Sequence, residues 1–184
     1  GSITTPGSYT VVATNAVTGC TLAQNGSQTV AVNPLPAVYT VSGSGNYCVD
    51  AAGLPVIQSG SSLNITYELY KNGAPTGMLQ SGTGTGISFG PVLDPGIYTV
   101  VATDNNFGCI KTMSGSATIG VYSLPAQFNV TGGGDYCTGG ACIHIGLDGT
   151  STGVRYQLYG GSGPAGSAMS GTGGMLDFGA QRGS

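Results

Sequence analysis

Charge is what this sequence has least of. Only 6% of its 184 residues are Asp, Glu, Lys or Arg, against roughly a quarter in ordinary soluble domains. Four Lys and Arg against seven Asp and Glu leave no basic patch along which a phosphate backbone could lie, which argues against nucleic acid as a partner. His144 is the only histidine, so acid–base or triad chemistry has almost nothing to draw on, and no acid pair or triad stands out. No apolar run approaches the roughly 20 residues that a membrane-crossing helix needs. No charged leader followed by an apolar stretch opens the chain, and the expectation is that any secretion signal lies outside it.

What is abundant is glycine, 35 residues, within a composition that is 40% hydrophobic. A surface so poor in charge must be built of hydroxyls and amides. Disorder does not follow, because the apolar residues recur with the two-residue period of strands.

The organising feature is a repeat. Pro95 to Cys109 reads PGIYTVVATDNNFGC, and Pro6 to Cys20 reads PGSYTVVATNAVTGC. An offset of 89 aligns residues 6–95 with 95–184 without a gap, and 36 of those 90 pairs are identical. One period suits one small sandwich domain of roughly 100 residues. Boundaries at the Leu-Pro linkers divide the chain into 1–34, the last strands of a first repeat; 35–123, a complete repeat; and 124–184, the first part of a third. Both ends continue the repeat pattern, which reads as a slice of a longer array.

In the complete unit, short β-rich runs alternate with Gly, Ser, Pro and Asn clusters, as in an all-β sandwich. Strands are expected near Val38–Val41, Leu54–Ile57, Asn64–Lys71, Thr76–Leu79, Ile87–Phe89, Tyr98–Thr103 and Ala117–Val121, with Gly43 to Tyr47 as a turn and Asn72-Gly73 closing a hairpin. Ile65, Tyr67 and Leu69 share one strand face, as do Tyr98, Val100 and Ala102. Seven strands in 89 residues is the immunoglobulin-like count, and Pro-Gly-x-Tyr entering the penultimate strand resembles the tyrosine corner of such sandwiches. Val11 and Val100 stand where antibody domains carry the inter-sheet cysteine.

Together the phrases GxYTVVATxxxxGC, the closing GSxT, the LPAxxxVxGxGxYC opening and the YxLY strand resemble the immunoglobulin-like tandem repeats of giant surface adhesins of gliding bacteria, related to the SprB repeat and associated with type IX secretion. The resemblance covers nearly the whole chain. It implies an extracellular, cell-surface adhesin or filament shaft and brings no catalytic residue with it.

Five cysteines, with Cys20 matching Cys109 and Cys48 matching Cys137 across the repeat, favour disulfides and an oxidising compartment over a metal site, for which only Cys137, Cys142 and His144 are closely spaced. Two pairings fit the period: Cys48 with Cys109 inside a unit, or Cys20 with Cys48 and Cys109 with Cys137 across a linker. The second needs a fold-back at Pro34 or Pro125, so the first is preferred. Cys142 is the odd thiol.

Tyr70 and Tyr159 lie on the strand face opposite Tyr67 and Tyr156 and are candidates for stacking on a glycan, against the plainer reading that they cover a neighbouring strand. Asp94, Asp104, Asp135 and Asp148 are weak calcium candidates, since carboxylates do not cluster in the sequence. The Gly-rich Ser81 to Gly86 reads as hairpin chemistry, with no helix after it to bind phosphate. No cofactor is expected. The partners expected are neighbouring repeats or other copies of the chain, with the end fragments completing one another by strand addition, and surface glycans.

Overall fold

The structure, a computed structural model, describes residues 3–137, 139–161 and 163–181. It is all-β, with no helix among the described residues, and no helix there is long and apolar enough to cross a membrane. The chain divides into two compact units, Gly1–Tyr122 and Ser123–Ser184.

The first 34 residues contribute β1 (Gly7–Tyr9), β2 (Val12–Thr14), β3 (Thr21–Ala23) and β4 (Gln28–Val30). β2 and β3 form one antiparallel pair, and β1 and β4 form another. The turn between β2 and β3 is closed by Asn15, whose side-chain oxygen accepts the backbone N–H groups of Val17 and Thr18 at 2.9 and 3.0 Å. Gly19 supplies the left-handed backbone the turn requires, with φ of 74°.

The repeat that follows is complete. Its strands are β5 (Thr40–Ser42), β6 (Gly45–Cys48), β7 (Leu54–Gln58), β8 (Ile65–Lys71), β9 (Ala74–Ser81), β10 (Ile87–Val92), β11 (Gly96–Asp104), β12 (Ile110–Thr112), β13 (Ser114–Gly115) and β14 (Ala117–Tyr122). One sheet has the order β10-β7-β5-β13; the other runs β6-β14-β11-β8-β9, with β12 also on β11. Val41, Val56 and Phe89 from the first sheet and Tyr67, Leu69, Val100 and Ile119 from the second belong to one buried cluster. That is a β-sandwich core, and the two-residue alternation of β8 and β11 puts the expected faces into it: Ile65, Tyr67 and Leu69, and Tyr98, Val100 and Ala102, are all buried. Asn72 and Gly73 both have positive φ, 50° and 84°, as the tight hairpin between β8 and β9 demands.

Two expectations need correction. Gly45 to Cys48 is a strand, not part of a turn: it lies parallel to β14, with Gly45 opposite Ile119 and Cys48 opposite Tyr122. Its partner is some 74 residues away in sequence, and a strand specified by a remote partner leaves little local signal. The closing strand begins at Ala117 as expected, but two short strands before it were not: β12 holds the far end of β11, and Ser114-Gly115 crosses to pair with Thr40-Val41 in the other sheet.

In the second unit, β15 (Val130–Gly132), β16 (Ile143–Leu147) and β19 (Leu176–Gln181) form one sheet, and β17 (Arg155–Gly160) pairs with β18 (Gly163–Ser170). Every register is that of the complete repeat shifted by 89. Leu147 opposes Leu176 as Gln58 opposes Ile87, and Tyr159 opposes Pro164 as Tyr70 opposes Pro75, with β-bulges at matching places. The head obeys the same rule: Gly7 opposes Val30 as Gly96 opposes Ile119, and Val12 opposes Ala23 as Val101 opposes Thr112.

Small polar devices repeat with the strands. The Tyr9 and Tyr98 hydroxyls each donate to a carbonyl four residues upstream, Thr5 at 2.6 Å and Asp94 at 2.7 Å, which is the bond expected from Pro-Gly-x-Tyr. The Gly-rich loop is pinned by a buried hydroxyl in both units. Ser61 accepts the Thr83 N–H and donates to the Thr85 carbonyl, while Thr150 accepts the Thr172 N–H and donates to the Gly174 carbonyl. Gly82 and Gly171 open that loop, and a Cβ on either would collide with the carbonyl of Ser62 or Ser151.

Candidate functional site

Among its described residues the second unit contains counterparts of β5, β7, β8, β9 and β10. Among the described residues, β17 is hydrogen-bonded only to β18, whereas its counterpart β8 lies between β9 and β11. The consequence is a groove of 420 Å³ lined by Val130, Ile145, Leu147, Tyr156, Leu158 and Phe178, among others. Their counterparts in the complete repeat, Val41, Val56, Gln58, Tyr67, Leu69 and Phe89, are all buried. The groove is a sandwich core that has not been closed.

The head has the complementary surface. Val11 is 65% exposed, yet Val100, at the same place in the same phrase YTVVAT, is 0% exposed. Ala13 is exposed where Ala102 is buried, and Tyr9 and Val30 are half-buried where Tyr98 and Ile119 are buried. The sequence dictates an apolar strand face here, and only its neighbours decide whether water sees it.

One stretch changes structure with its partner. Gly134 to Cys137, GDYC, matches the β6 sequence GNYC but has no strand assignment. β6 exists by pairing with β14, and the second unit has no counterpart of β14 among its described residues.

No protein-family model matches the chain, and no curated protein is significantly similar to it.

The five sulfurs stand as free thiols, with Cys20, Cys48 and Cys137 exposed and Cys109 and Cys142 half-buried. The preferred link between Cys48 and Cys109 is ruled out by register. Cys109 lies beside Asp104, its carbonyl accepting that residue's N–H, at one end of β11. Cys48 lies beside Tyr122, three residues past the partner of Gly96 at the other end. Eleven residue steps at about 3.3 Å each separate them by roughly 35 Å, and a disulfide tolerates no more than about 7 Å between Cα atoms. The bond between Cys20 and Cys48 is not formed either.

Among the described residues, no group of three or more His, Cys, Asp or Glu is placed to hold a metal ion. Asp94 is 3.4 Å from the Lys71 ammonium. Asp104 accepts the N–H groups of Asn106 and Phe107, repeating the Asn15 turn. Asp148 is bound at both carboxylate oxygens by Asn129, through the backbone N–H at 2.9 Å and the side-chain amide at 2.7 Å. These bonds hold its carboxyl below the usual range, the side-chain one most. Thr40 N–H to Ser59 Oγ is the equivalent bond in the complete repeat. Asp135 is exposed.

His144 sits exposed on β16, with Nδ1 2.7 Å from Oδ2 of Asp177 on β19. That bond, followed by the one from the Gly179 N–H, lowers the Asp177 pKa. Pro55 and Ser88 occupy these places in the complete repeat, so the pair belongs to one unit only. Sequence reading found His144 but not its partner, which lies 33 residues away on a neighbouring strand. Of the two candidate stacking residues, Tyr70 is half-buried and Tyr159 is 70% exposed; Tyr159 borders the open groove.

Proposed function

We propose that this chain is a structural, non-catalytic segment of an extracellular bacterial surface adhesin or filament, built of immunoglobulin-like repeats and able to polymerise by strand complementation between its two ends. One observation carries the reading: three successive copies of an 89-residue pattern keep the same strand registers, and the two incomplete ones expose complementary halves of a core. The sheet orders, with an edge strand parallel to the closing strand and the tyrosine bond at the entry to β11, favour the immunoglobulin-like description. A surface of hydroxyls and amides with few charges suits a shaft, and the repeated pinning of loops by Asn15, Asp104, Ser61 and Thr150 stiffens each unit where turns would otherwise be soft.

Pulling the chain from its ends in a single-molecule force experiment tests the mechanical role. The expected result is a discrete unfolding event releasing about the length of one repeat, since only the complete unit has a closed core; extension without such an event would count against a shaft. Removal of the protein from intact source cells by external protease tests the location. The second reading, a carbohydrate-binding module, draws on the exposure of Tyr159. It would displace the first if a glycan array gave a signal that Tyr159→Ala and Tyr70→Ala abolished.

A further inference from the structure

We infer that the outer face of the sheet β15-β16-β19 carries a binding site for one neutral hexopyranose ring of a glycan, centred on Gly146 and rimmed by Thr131, His144 and Asp177. The site is independent of the filament reading and shares no residue with the reading that draws on Tyr159. A dent of 260 Å³ is lined there by Thr131, His144, Gly146, Met175, Leu176 and Asp177, among others. It lies on the face opposite the apolar groove: Val130, Ile145 and Phe178 line the groove, and the two-residue period of strands sends Thr131, His144, Gly146 and Asp177 the other way. Completing the repeat does not cover this face. In the complete repeat the counterparts Ser42, Pro55, Ile57 and Ser88 are all exposed.

The chemistry of the dent belongs to this unit alone. Ile57 occupies the middle of the face in the complete repeat, and Gly146 empties it. The Leu176 carbonyl and the Thr131 hydroxyl, the latter at 3.4 Å, converge on the place where a Cβ of Gly146 would sit, so a ligand hydroxyl over Gly146 meets two oxygens at once. Beside them stands an acceptor of fixed orientation. A carboxylate can only accept, so Nδ1 of His144 donates to Oδ2 of Asp177 at 2.7 Å, and the neutral imidazole keeps Nε2 as an acceptor. Oδ1 of Asp177 takes the Gly179 N–H at 2.8 Å, so this carboxylate is committed to orienting the imidazole rather than to gripping a cation. Met175, 80% exposed, offers an adaptable apolar wall for the C–H face of a ring. Charge selects the ligand class. Asp177 is the one acidic group among the described residues lining the dent, and no Lys or Arg joins it, so phosphate, sulfate and acidic sugars are repelled while neutral hydroxyls find their partners. The volume, below the roughly 300–1,000 Å³ of a site for a drug-sized ligand, suits a single ring.

The test is an NMR titration of the whole chain with the methyl glycosides of glucose, galactose, mannose and N-acetylglucosamine, and with that of glucuronic acid as the anionic control. At least one neutral glycoside should shift the amide signals of Thr131, His144, Gly146 and Asp177 and the Met175 methyl signal saturably. Ser42, Ile57 and Ser88, the same face of the complete repeat, should stay still as an internal control, and the uronate should shift neither set. Thr131→Val and Asp177→Ser should each weaken binding by about tenfold or more. Serine already holds the latter place in the complete repeat, so the strand tolerates it, and unshifted signals elsewhere in the unit report that the fold is kept. Tyr159→Ala should leave the affinity unchanged. No saturable shift with any neutral glycoside, equal shifts at Ser42 and Ser88, or an affinity indifferent to both substitutions would overturn the site. Binding abolished by Tyr159→Ala would overturn it as well and assign the glycan to that tyrosine. None of these outcomes bears on the filament reading, which the force experiment tests.

Discussion

Gln58 is fully buried, its amide nitrogen donates to the Gly60 carbonyl at 2.6 Å, and its Oε1 is the one buried side-chain polar atom among the described residues with no partner. An orphaned buried acceptor costs about 1–3 kcal/mol, which outweighs the roughly 1 kcal/mol of a single neutral hydrogen bond. The second unit places Leu147 at this position, a side chain of similar volume without the problem. Gln58→Leu should therefore raise the stability of the complete repeat by roughly 1 kcal/mol, read as a higher denaturant midpoint; a lower midpoint would mean that the bond to Gly60 matters more than the orphan. Tyr98 has the opposite sign. Its hydroxyl bonds the Asp94 carbonyl, and burial first, then the Asp94 charge and Tyr47, raise its pKa. Tyr98→Phe should cost about 1 kcal/mol at neutral pH. Because the folded pKa is raised, the wild-type advantage is whole below the unfolded tyrosine pKa and fades as pH rises through the folded one. Asp148 works from the acid side: its folded pKa is lowered, so its contribution is present above the unfolded carboxyl pKa and lost as pH falls through the folded value. Thermal melts of Asp148→Asn and wild type should differ at neutral pH and converge in acid.

At the scale of elements, the strands legible in the sequence were those with alternation on a buried face. β8 and β11 could be placed from Ile65, Tyr67 and Leu69 and from Tyr98, Val100 and Ala102, because a two-residue period needs no knowledge of the partner. β6 was not legible, and comparison with Gly134–Cys137 explains why: nearly the same four residues are strand in one unit and irregular in the other. The information lies in β14, remote in sequence. The open groove was legible only as an inference about missing strands, while the pairing of His144 with Asp177 had no signal, since opposition across two strands depends on a bulge between His144 and Gly146. The disulfide preference failed for a related reason. Repeat spacing says that two cysteines recur but not at which end of the sandwich each lies. Loops, by contrast, carry their own chemistry. Ser61 Oγ holds the Thr83 N–H at 2.9 Å and the Thr85 carbonyl at 2.6 Å, and Ser61→Ala should destabilise the complete repeat by about 1–3 kcal/mol, visible as faster hydrogen exchange in residues 82–86.

For the whole molecule, a closed core in one repeat and an open one in the next predict unfolding in more than one step. In dilute protein, the unit from Ser123 onward should lose its exchange protection at lower denaturant than the complete repeat, because Tyr156 and Leu158 are only half covered where Tyr67 and Leu69 are fully buried. A single coincident transition by hydrogen exchange and by circular dichroism would contradict this.

The exposed YTVVAT strand face and the open apolar groove are different surfaces, so a contact between them from two copies would be heterologous rather than self-complementary.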